Sequence, residues 1–285
     1  MTYARIYEAG KKELEEAGVR EAALDARLLL EFVCGTKRHD LLAHGDRPVE
    51  REKEERYREL LARRAKRIPL QHLTGVQEFM GLEFQVGPEA LIPRQDTEIL
   101  VEEVMRELHD GFRILDLCTG SGCILLSLLH YSNGCEGVGT DLSPRALELA
   151  RANARALGEE AAVFVESDLF GKVEGKYEII VSNPPYIRTE VIASLEEEVR
   201  LHEPMMALDG REDGLFFYRE IVRRSPDYLC GGGRLYLEIG YDQKEEVTAL
   251  MREAGFEEVT AVKDYAGKDR VVYGILPSLR NGDSL

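Results

Sequence analysis

No stretch of this sequence comes near the roughly 18 consecutive apolar residues that a membrane helix needs, and Met1-Thr2-Tyr3-Ala4-Arg5 does not open a secretory signal. Cysteine is scarce and without pattern: Cys34, Cys118, Cys123, Cys135 and Cys230 form an odd set with no C-x-x-C spacing. Zinc knuckles and a disulfide framework are therefore not expected, no metal site is read, and reduced thiols in a cytoplasmic protein are the plain expectation. Positive charge is also short. Lys and Arg number 37 against 53 Asp and Glu, a formal net charge of −16, and such a chain is repelled by a polyphosphate backbone unless it gathers a basic face. Its basic residues are dispersed apart from Arg63, Arg64, Lys66 and Arg67, a cluster read as the exposed side of a helix. A dedicated nucleic-acid binder is not expected. Internal repeats and low-complexity tracts are absent as well.

What is there is a 285-residue chain, 44% hydrophobic and 32% charged, enough for a sizeable core in one large domain or two modest ones. The first 65 or so residues read as helices. Leu24, Leu28 and Phe32 recur every four positions beside Leu29 and Val33, and Gly35 stops that run. A second run spans about Glu50 to Lys66 until Ile68-Pro69 ends it. Phe79 to Val86 alternates as a hairpin does.

From about Glu98 the pattern changes to alternating strands and helices. Strands are expected at Arg113–Leu117, Gly137–Asp141, Ala161–Glu166, Glu178–Ser182, Arg234–Ile239, Glu257–Val262 and Arg270–Leu276, with Pro144–Leu157 and Gln243–Ala254 among the helices. This alternation implies an α/β fold, a mostly parallel sheet with helices on both faces. The short Asp264–Asp269 connection makes the last two strands antiparallel. The organisation expected is a helical domain over 1–68, a β-hairpin linker over 69–97 and a seven-stranded domain over 98–285.

The strand Ile114-Leu115-Asp116-Leu117 runs into Cys118-Thr119-Gly120-Ser121-Gly122 and then an apolar helix. Glycines let the backbone turn sharply and approach a ligand at the mouth of the sheet. About twenty residues on, Asp141 ends the second strand with a carboxylate suited to ribose hydroxyls. Nicotinamide and S-adenosylmethionine sites share this spacing. A dinucleotide fingerprint needs a third glycine where Leu125 stands, which favours S-adenosylmethionine; a ligand-free tight turn is the bland alternative. Asp168 and Leu169 follow the third strand, where a carboxylate can accept an adenine amino group and a leucine can pack on the ring. A simple polar strand end reads equally well there.

The fourth strand ends in Asn183-Pro184-Pro185-Tyr186. Two prolines stiffen the turn and remove two backbone donors, leaving carbonyl acceptors. The Asn183 oxygen and the Pro184 carbonyl can hold the two hydrogens of a planar NH2 group, and Tyr186 can supply an aromatic wall. That set suits methyl transfer to a conjugated nitrogen, whose delocalised lone pair makes it a poor nucleophile. Acceptors aimed at the developing positive charge favour the transition state.

With these motifs on the page, the chain resembles the release-factor glutamine N5-methyltransferases, the HemK/PrmC family. The resemblance runs through Pro69-Leu70-Gln71-His72-Leu73-Thr74-Gly75, Glu78-Phe79-Met80-Gly81, Leu91-Ile92-Pro93-Arg94-Gln95-Asp96-Thr97-Glu98, the glycine loop and Asn183-Pro184-Pro185-Tyr186. It continues through Glu203-Pro204, Asp213-Gly214-Leu215, Leu237-Glu238-Ile239-Gly240 and Gly267-Lys268-Asp269-Arg270-Val271-Val272. It implies a helical substrate-recognition domain, a seven-stranded class I methyltransferase domain and S-adenosylmethionine as cofactor. It also implies action on peptide chain release factors, at the glutamine of a Gly-Gly-Gln loop, in translation termination; a monomer is expected. Cys118 departs from the glycine often found after Leu-Asp-Leu, and Gln95-Asp96 stands where Pro-Glu is common. A ribosomal-protein glutamine methyltransferase, an adenine-N6 or guanine-N2 nucleic-acid methyltransferase, and a non-enzymatic scaffold are the competing readings. His72 and His202 are read as packing or surface residues, Arg94 as a structural residue of the linker, and Glu196-Glu197-Glu198 as a solvated helix face.

Overall fold

Apolar residues at 114, 115, 179, 180 and 181 sit on successive positions of two short strands, and the fold separates them by parity. In the computed structural model, which describes residues 1–278, the side chains of Ile114, Ile179, Val181, Tyr236 and Val271 enter one core. Their neighbours Leu115, Ile180, Leu235, Leu237 and Val272 enter a second core. Successive strand residues point to opposite faces, so near-continuous apolar strands mark a sheet covered on both sides. Helices Gln95–Met105, Cys123–His130 and Pro144–Leu157 supply the first core; Phe216–Arg224 and Lys244–Glu253 supply the second.

A two-stranded hairpin, β1 (Val76–Phe79) and β2 (Leu82–Gln85), precedes the sheet. Its turn residues Met80 and Gly81 both have positive φ, the geometry that matches strand twist in tight hairpins. Met80 is held there on both sides: its N–H donates to Glu98 (2.8 Å) and its carbonyl accepts from the Tyr131 hydroxyl (2.6 Å). The sheet strands are β3 (Arg113–Leu117), β4 (Glu136–Asp141), β5 (Ala162–Glu166), β6 (Tyr177–Ser182), β7 (Leu229–Glu238), β8 (Glu257–Lys263) and β9 (Asp269–Ile275). Their order is β5-β4-β3-β6-β7-β9-β8, with β9 antiparallel to both neighbours and the other pairings parallel. This is the class I methyltransferase sheet. Order reverses between β3 and β6, the point at which open α/β sheets bind ligands. One expected strand differs: β7 begins at Leu229, five residues earlier than its apolar run, because Leu229 pairs with Tyr177 across a bulge while Gly231-Gly232-Gly233 carries no side-chain signal.

The chain divides into two units, 1–76 with 196–202, and 77–195 with 203–285. Within the first, helices Tyr3–Glu16, Ala22–Cys34 and Arg51–Arg64 pack Ile6, Leu14, Leu29, Leu30, Tyr57, Leu60 and Leu61 into its own core. Two expectations fail here. Arg64 is not on an exposed face: it is 4% exposed and donates to Asp25 (2.7 Å), Glu198 (2.7 Å) and the Ile68 carbonyl. Nor is the Glu196–Glu198 run simply solvated, since Glu198 is the carboxylate that shares Arg64 with Asp25, and Arg67 approaches both Glu197 and Glu198. A buried guanidinium requires anionic partners, and the acidic run supplies one from 134 positions away. His72 and His202 are both half-buried in this unit.

Candidate active site

Strands β3, β4, β5 and β6 lead into the site from their carboxyl-terminal ends, and helices Gln95–Met105, Cys123–His130 and Pro144–Leu157 reach it with their first turns. β3 ends in a left-handed residue, Cys118 at φ 59°, followed by Gly120 at 55° and Gly122 at 80°. The Cys118 conformation costs a non-glycine residue roughly 1–2 kcal/mol, a strain that glycine at this position would not carry. Gly122 is needed for space as well: a Cβ would press on Leu126, Ala150 and Phe164 at 3.1–3.4 Å. The loop is pinned from below by Asp116, whose carboxylate accepts the Thr119 hydroxyl at 2.6 Å. Complete burial pushes Asp116 up to about 7 despite that bond. Burial likewise pushes the Cys118 thiol far above its ordinary value, with Asp141 and Asp116 adding to it. This favours the thiol over the reactive thiolate.

Asp141, at the end of β4, faces this loop. Its two oxygens accept the backbone N–H groups of Gly120 (3.0 Å) and Ser143 (2.8 Å). Burial raises its pKa against those two bonds. Each carboxylate oxygen retains a second lone pair. Ser143 in turn caps helix Pro144–Leu157, accepting from the Ala146 N–H at 3.2 Å. Two loop elements therefore close on one carboxylate, 20 residues or more apart in sequence.

Above them lies a cavity of about 400 Å³, within the range of small-ligand sites. Cys118, Thr119, Gly120, Ser121, Asp141, Asp168, Leu169, Asn183 and Pro185 line it; Gly122, Pro184 and Tyr186 are not among its lining. Gly122 is the N-cap of the following helix instead. The Tyr186 hydroxyl turns toward Glu238 at 3.4 Å, and its ring packs with the second core. Asn183 donates its amide nitrogen to the Thr97 hydroxyl at 3.3 Å. Arg94 and Pro204 lie on another wall, and the buried Glu203 behind it accepts from Arg94 at 2.8 Å and from the Ile92 N–H at 3.2 Å. Burial raises the Glu203 pKa, opposed by Arg94. Arg94 thus keeps the structural role read from sequence, yet it also lines the cavity.

The lining fits a small cation carrying a nucleoside. Glu89, Asp141, Asp168 and Asp209 outnumber Arg94 and Arg211, while Ile124, Leu142, Ala146 and Leu169 supply apolar walls. Periodicity alone does not single out Asn153, buried on helix Pro144–Leu157, which ties Gln85 to the Ser121 carbonyl. A polar residue on the buried stripe of an amphipathic helix, beside Leu147, Ala150 and Ala154, is the signal that marks it. Thr97 and Glu238 fall within the matched segments, but neither has a role legible from spacing.

Comparison with known proteins agrees with this geometry. Residues 6–75 match the PrmC N-terminal domain and residues 94–199 the methyltransferase small domain. The chain is 41% identical to a release factor glutamine methyltransferase of Agrobacterium fabrum, covering 93% of this chain and 94% of that protein. It is 42% identical to the protein of that name from Geobacter sulfurreducens, covering 96% of each. A solved methyltransferase from Pyrococcus furiosus shares the fold at 18% identity and a TM-score of 0.55, over 76% of this chain and 99% of that one. Identity above 40% over nearly the whole length, on a sheet that brings the glycine loop, Asn183 and Pro185 to one cavity, makes this chain a member of the release factor glutamine methyltransferase family.

Proposed function

We infer that this protein methylates the side-chain amide nitrogen (N5) of the glutamine in the Gly-Gly-Gln loop of peptide chain release factors, using S-adenosylmethionine. The observation that carries the reading is the single acid-lined cavity joining the glycine loop to Asn183. Bound adenosylmethionine supplies a methyl group on a positively charged sulfur. The chain's own residues do the rest. Asp141 and the Cys118–Gly122 loop hold the ribose end, Asp168 accepts from the adenine amino group, and Leu169 covers the ring. Asn183 and the Pro184 carbonyl accept the two hydrogens of the glutamine NH2 and turn its nitrogen toward the methyl donor. Pro185 and Tyr186 fix the turn that presents those acceptors, Tyr186 by packing its ring on the second core. Fixed acceptors cost no reorganisation when positive charge develops on the nitrogen. The alkylated nitrogen is acidic enough to lose its proton to water, so no histidine base is required.

The helical residues up to about 68 are proposed to recognise the protein substrate, the hairpin region to 97 to link them, and residues from 98 onward to bind the cofactor. Support for the first comes from helix Ala22–Cys34, where Leu24 is 40% and Phe32 47% exposed. The apolar stripe read from the sequence therefore faces away from this unit's core. Exposed apolar anchors of this kind suit a protein partner. We further propose that the enzyme acts in the cytoplasm as a monomer, without binding nucleic acid; net charge −16 disfavours a polyphosphate acceptor. Among the described residues all five cysteines are unpaired, and no helix is long and apolar enough to cross a membrane.

The decisive experiment is intact-mass and peptide mapping of a release factor incubated with enzyme and adenosylmethionine. One added methyl on the Gly-Gly-Gln glutamine is the expected result. Label confined to a ribosomal protein or to nucleic acid would overturn the reading.

A further inference from the structure

Pro184 and Pro185 have no backbone N–H to give, so the turn Asn183-Pro184-Pro185-Tyr186 depends on what holds its two ends. Upstream, Ser182 of β6 pairs with Leu117 and Leu237, and its hydroxyl donates to the Leu117 carbonyl at 2.7 Å. Downstream, the Tyr186 carbonyl accepts from Gln243 Nε2 at 3.0 Å. We propose that Gln243 is a positioning residue for methyl transfer, acting through the Tyr186 carbonyl on the acceptors that Asn183 and Pro184 present. The inference rests on the reading of Asn183 given above.

Gln243 joins three chain segments. Its Oε1 accepts the Gly240 N–H at 2.9 Å, just beyond β7, and the Tyr218 hydroxyl at 3.4 Å. Its Nε2 donates to the Gly214 carbonyl at 3.2 Å as well as to Tyr186. The amide has one workable orientation, because turning it over would set NH2 against an N–H and oxygen against two carbonyls. Gln243 is 4% exposed, so bulk water does not exchange for its partners. Two glycines leave the room it needs. A Cβ at Gly214 would lie 2.5 Å from the Tyr186 carbonyl oxygen and 2.7 Å from Gln243 Nε2, and a Cβ at Gly240 would lie 2.7 Å from Oε1. The segments Asp213-Gly214-Leu215 and Leu237-Glu238-Ile239-Gly240 thus meet at one side chain.

Other ties on the turn are of a different kind. Ile187 gives its N–H to the Leu208 carbonyl at 3.0 Å, and its own carbonyl accepts from the Gly210 N–H at 2.8 Å. Both partners lie on the excursion that leaves the turn and returns to it, so they can shift with it. The Asn183 amide donates to Thr97 at 3.3 Å, which holds a side chain and not the backbone. Among these ties, Gln243 is the one that fastens the Tyr186 peptide to the end of β7. It also stands outside the cavity lining, so its loss should move the acceptors without removing a cofactor contact.

The test uses the full chain with Gln243→Met and Gln243→Asn. Methionine matches the length and lacks both donor and acceptor. Asparagine keeps the amide and suits the helix N-cap that Gln243 occupies, but it is too short to span Gly240 and Tyr186 together. In turnover with release factor, kcat should fall roughly 10- to 100-fold in both variants, as expected for misplaced acceptors. The KM for release factor and the calorimetric affinity for adenosylmethionine should change by less than about threefold. In the protein alone, the Asn183 side-chain resonances should shift or broaden in both variants. A folded variant with near wild-type kcat and unchanged Asn183 resonances would overturn the proposal, as would a loss of cofactor affinity as large as the loss of kcat. A wild-type enzyme that fails to methylate release factor would refute the function instead, and the resonance measurement would still decide the role of Gln243.

Discussion

The side chain of Asn153 binds the backbone of Gln85 in both directions: its oxygen accepts from the Gln85 N–H at 2.7 Å, and its nitrogen donates to the Gln85 carbonyl at 3.1 Å. The same nitrogen donates to the Ser121 carbonyl at 2.9 Å. One helical amide thereby completes the edge of β2, as a neighbouring strand would, and fastens it to the glycine loop. Asn153→Leu keeps the volume and strands one buried and two partly buried backbone groups. Each unsatisfied group costs about 1–3 kcal/mol, so a total loss of about 3–5 kcal/mol is expected in urea unfolding, with weaker adenosylmethionine binding. A loss below about 1 kcal/mol would show that Asn153 merely fills space.

How much of this was legible depended on how far the information lay from the residue concerned. The sheet, its antiparallel end and the helix Pro144–Leu157 follow from local periodicity and agree with the structure. Asp141 was legible because a strand and a 20-residue βα unit fix its distance from the loop. By contrast, Asn153 meets Gln85 across 68 positions, Asn183 meets Thr97 across 86 and Arg64 meets Glu198 across 134. No periodicity encodes such pairings; they arise when the elements pack. The same limit explains Leu24 and Phe32, whose four-residue spacing shows that they share a face but not whether anything covers it.

Asp116 links folding to protons. Its native pKa is raised by burial to about 7, against an ordinary value of 3.8. The native state therefore holds a proton that the unfolded state releases. Its stabilising contribution is full below about pH 4 and is lost as pH rises through about 7. The slope of stability with pH from this one group is about −1.4 kcal/mol per unit in that window. Asp116→Asn in the cofactor-free protein should gain on the wild type as pH rises from 4.5 to 7, seen in urea titrations at several pH values. A difference independent of pH would place the Asp116 pKa near its unfolded value.

If Leu24 and Phe32 anchor the protein substrate, replacing both by serine should leave the fold intact, because neither is in the core. The KM for release factor should rise about tenfold or more, in line with loss of a buried interface anchor. Calorimetric affinity for adenosylmethionine should not change. An unaltered KM would remove this face from substrate recognition.

Asp141→Ala should weaken adenosylmethionine by about 1.5–3 kcal/mol, the value of charged hydrogen bonds. The structure adds a complication, since the same carboxylate accepts from Gly120 and Ser143. Asp141→Asn keeps one of those two backbone bonds and sets its NH2 against the other N–H, so its Tm measures how much of the loss is structural. If its Tm stays close to the wild type while affinity falls, ligand contact accounts for the loss. Equal affinity in all three proteins by calorimetry would exclude Asp141 from the ribose end.

Asn183→Ala removes one of two acceptors proposed to hold the glutamine NH2, so the amide can rotate out of line with the methyl donor. Alignment and developing charge both depend on that contact, and the loss should fall on kcat rather than on cofactor affinity. Removing one positioned electrostatic partner typically costs about 10²–10³-fold. Asn183→Asp tests whether an oxygen alone suffices. It restores an acceptor, but it cannot donate to Thr97 as Nδ2 does. Its added charge attracts a sulfonium more in the ground state than in the charge-dispersed transition state. It should therefore bind adenosylmethionine as well as the wild type or better, and still turn over slowly. Single-turnover rates at saturating cofactor and release factor decide the matter. Near wild-type rates in both variants would make Asn183 a turn residue and leave the amide without its proposed clamp.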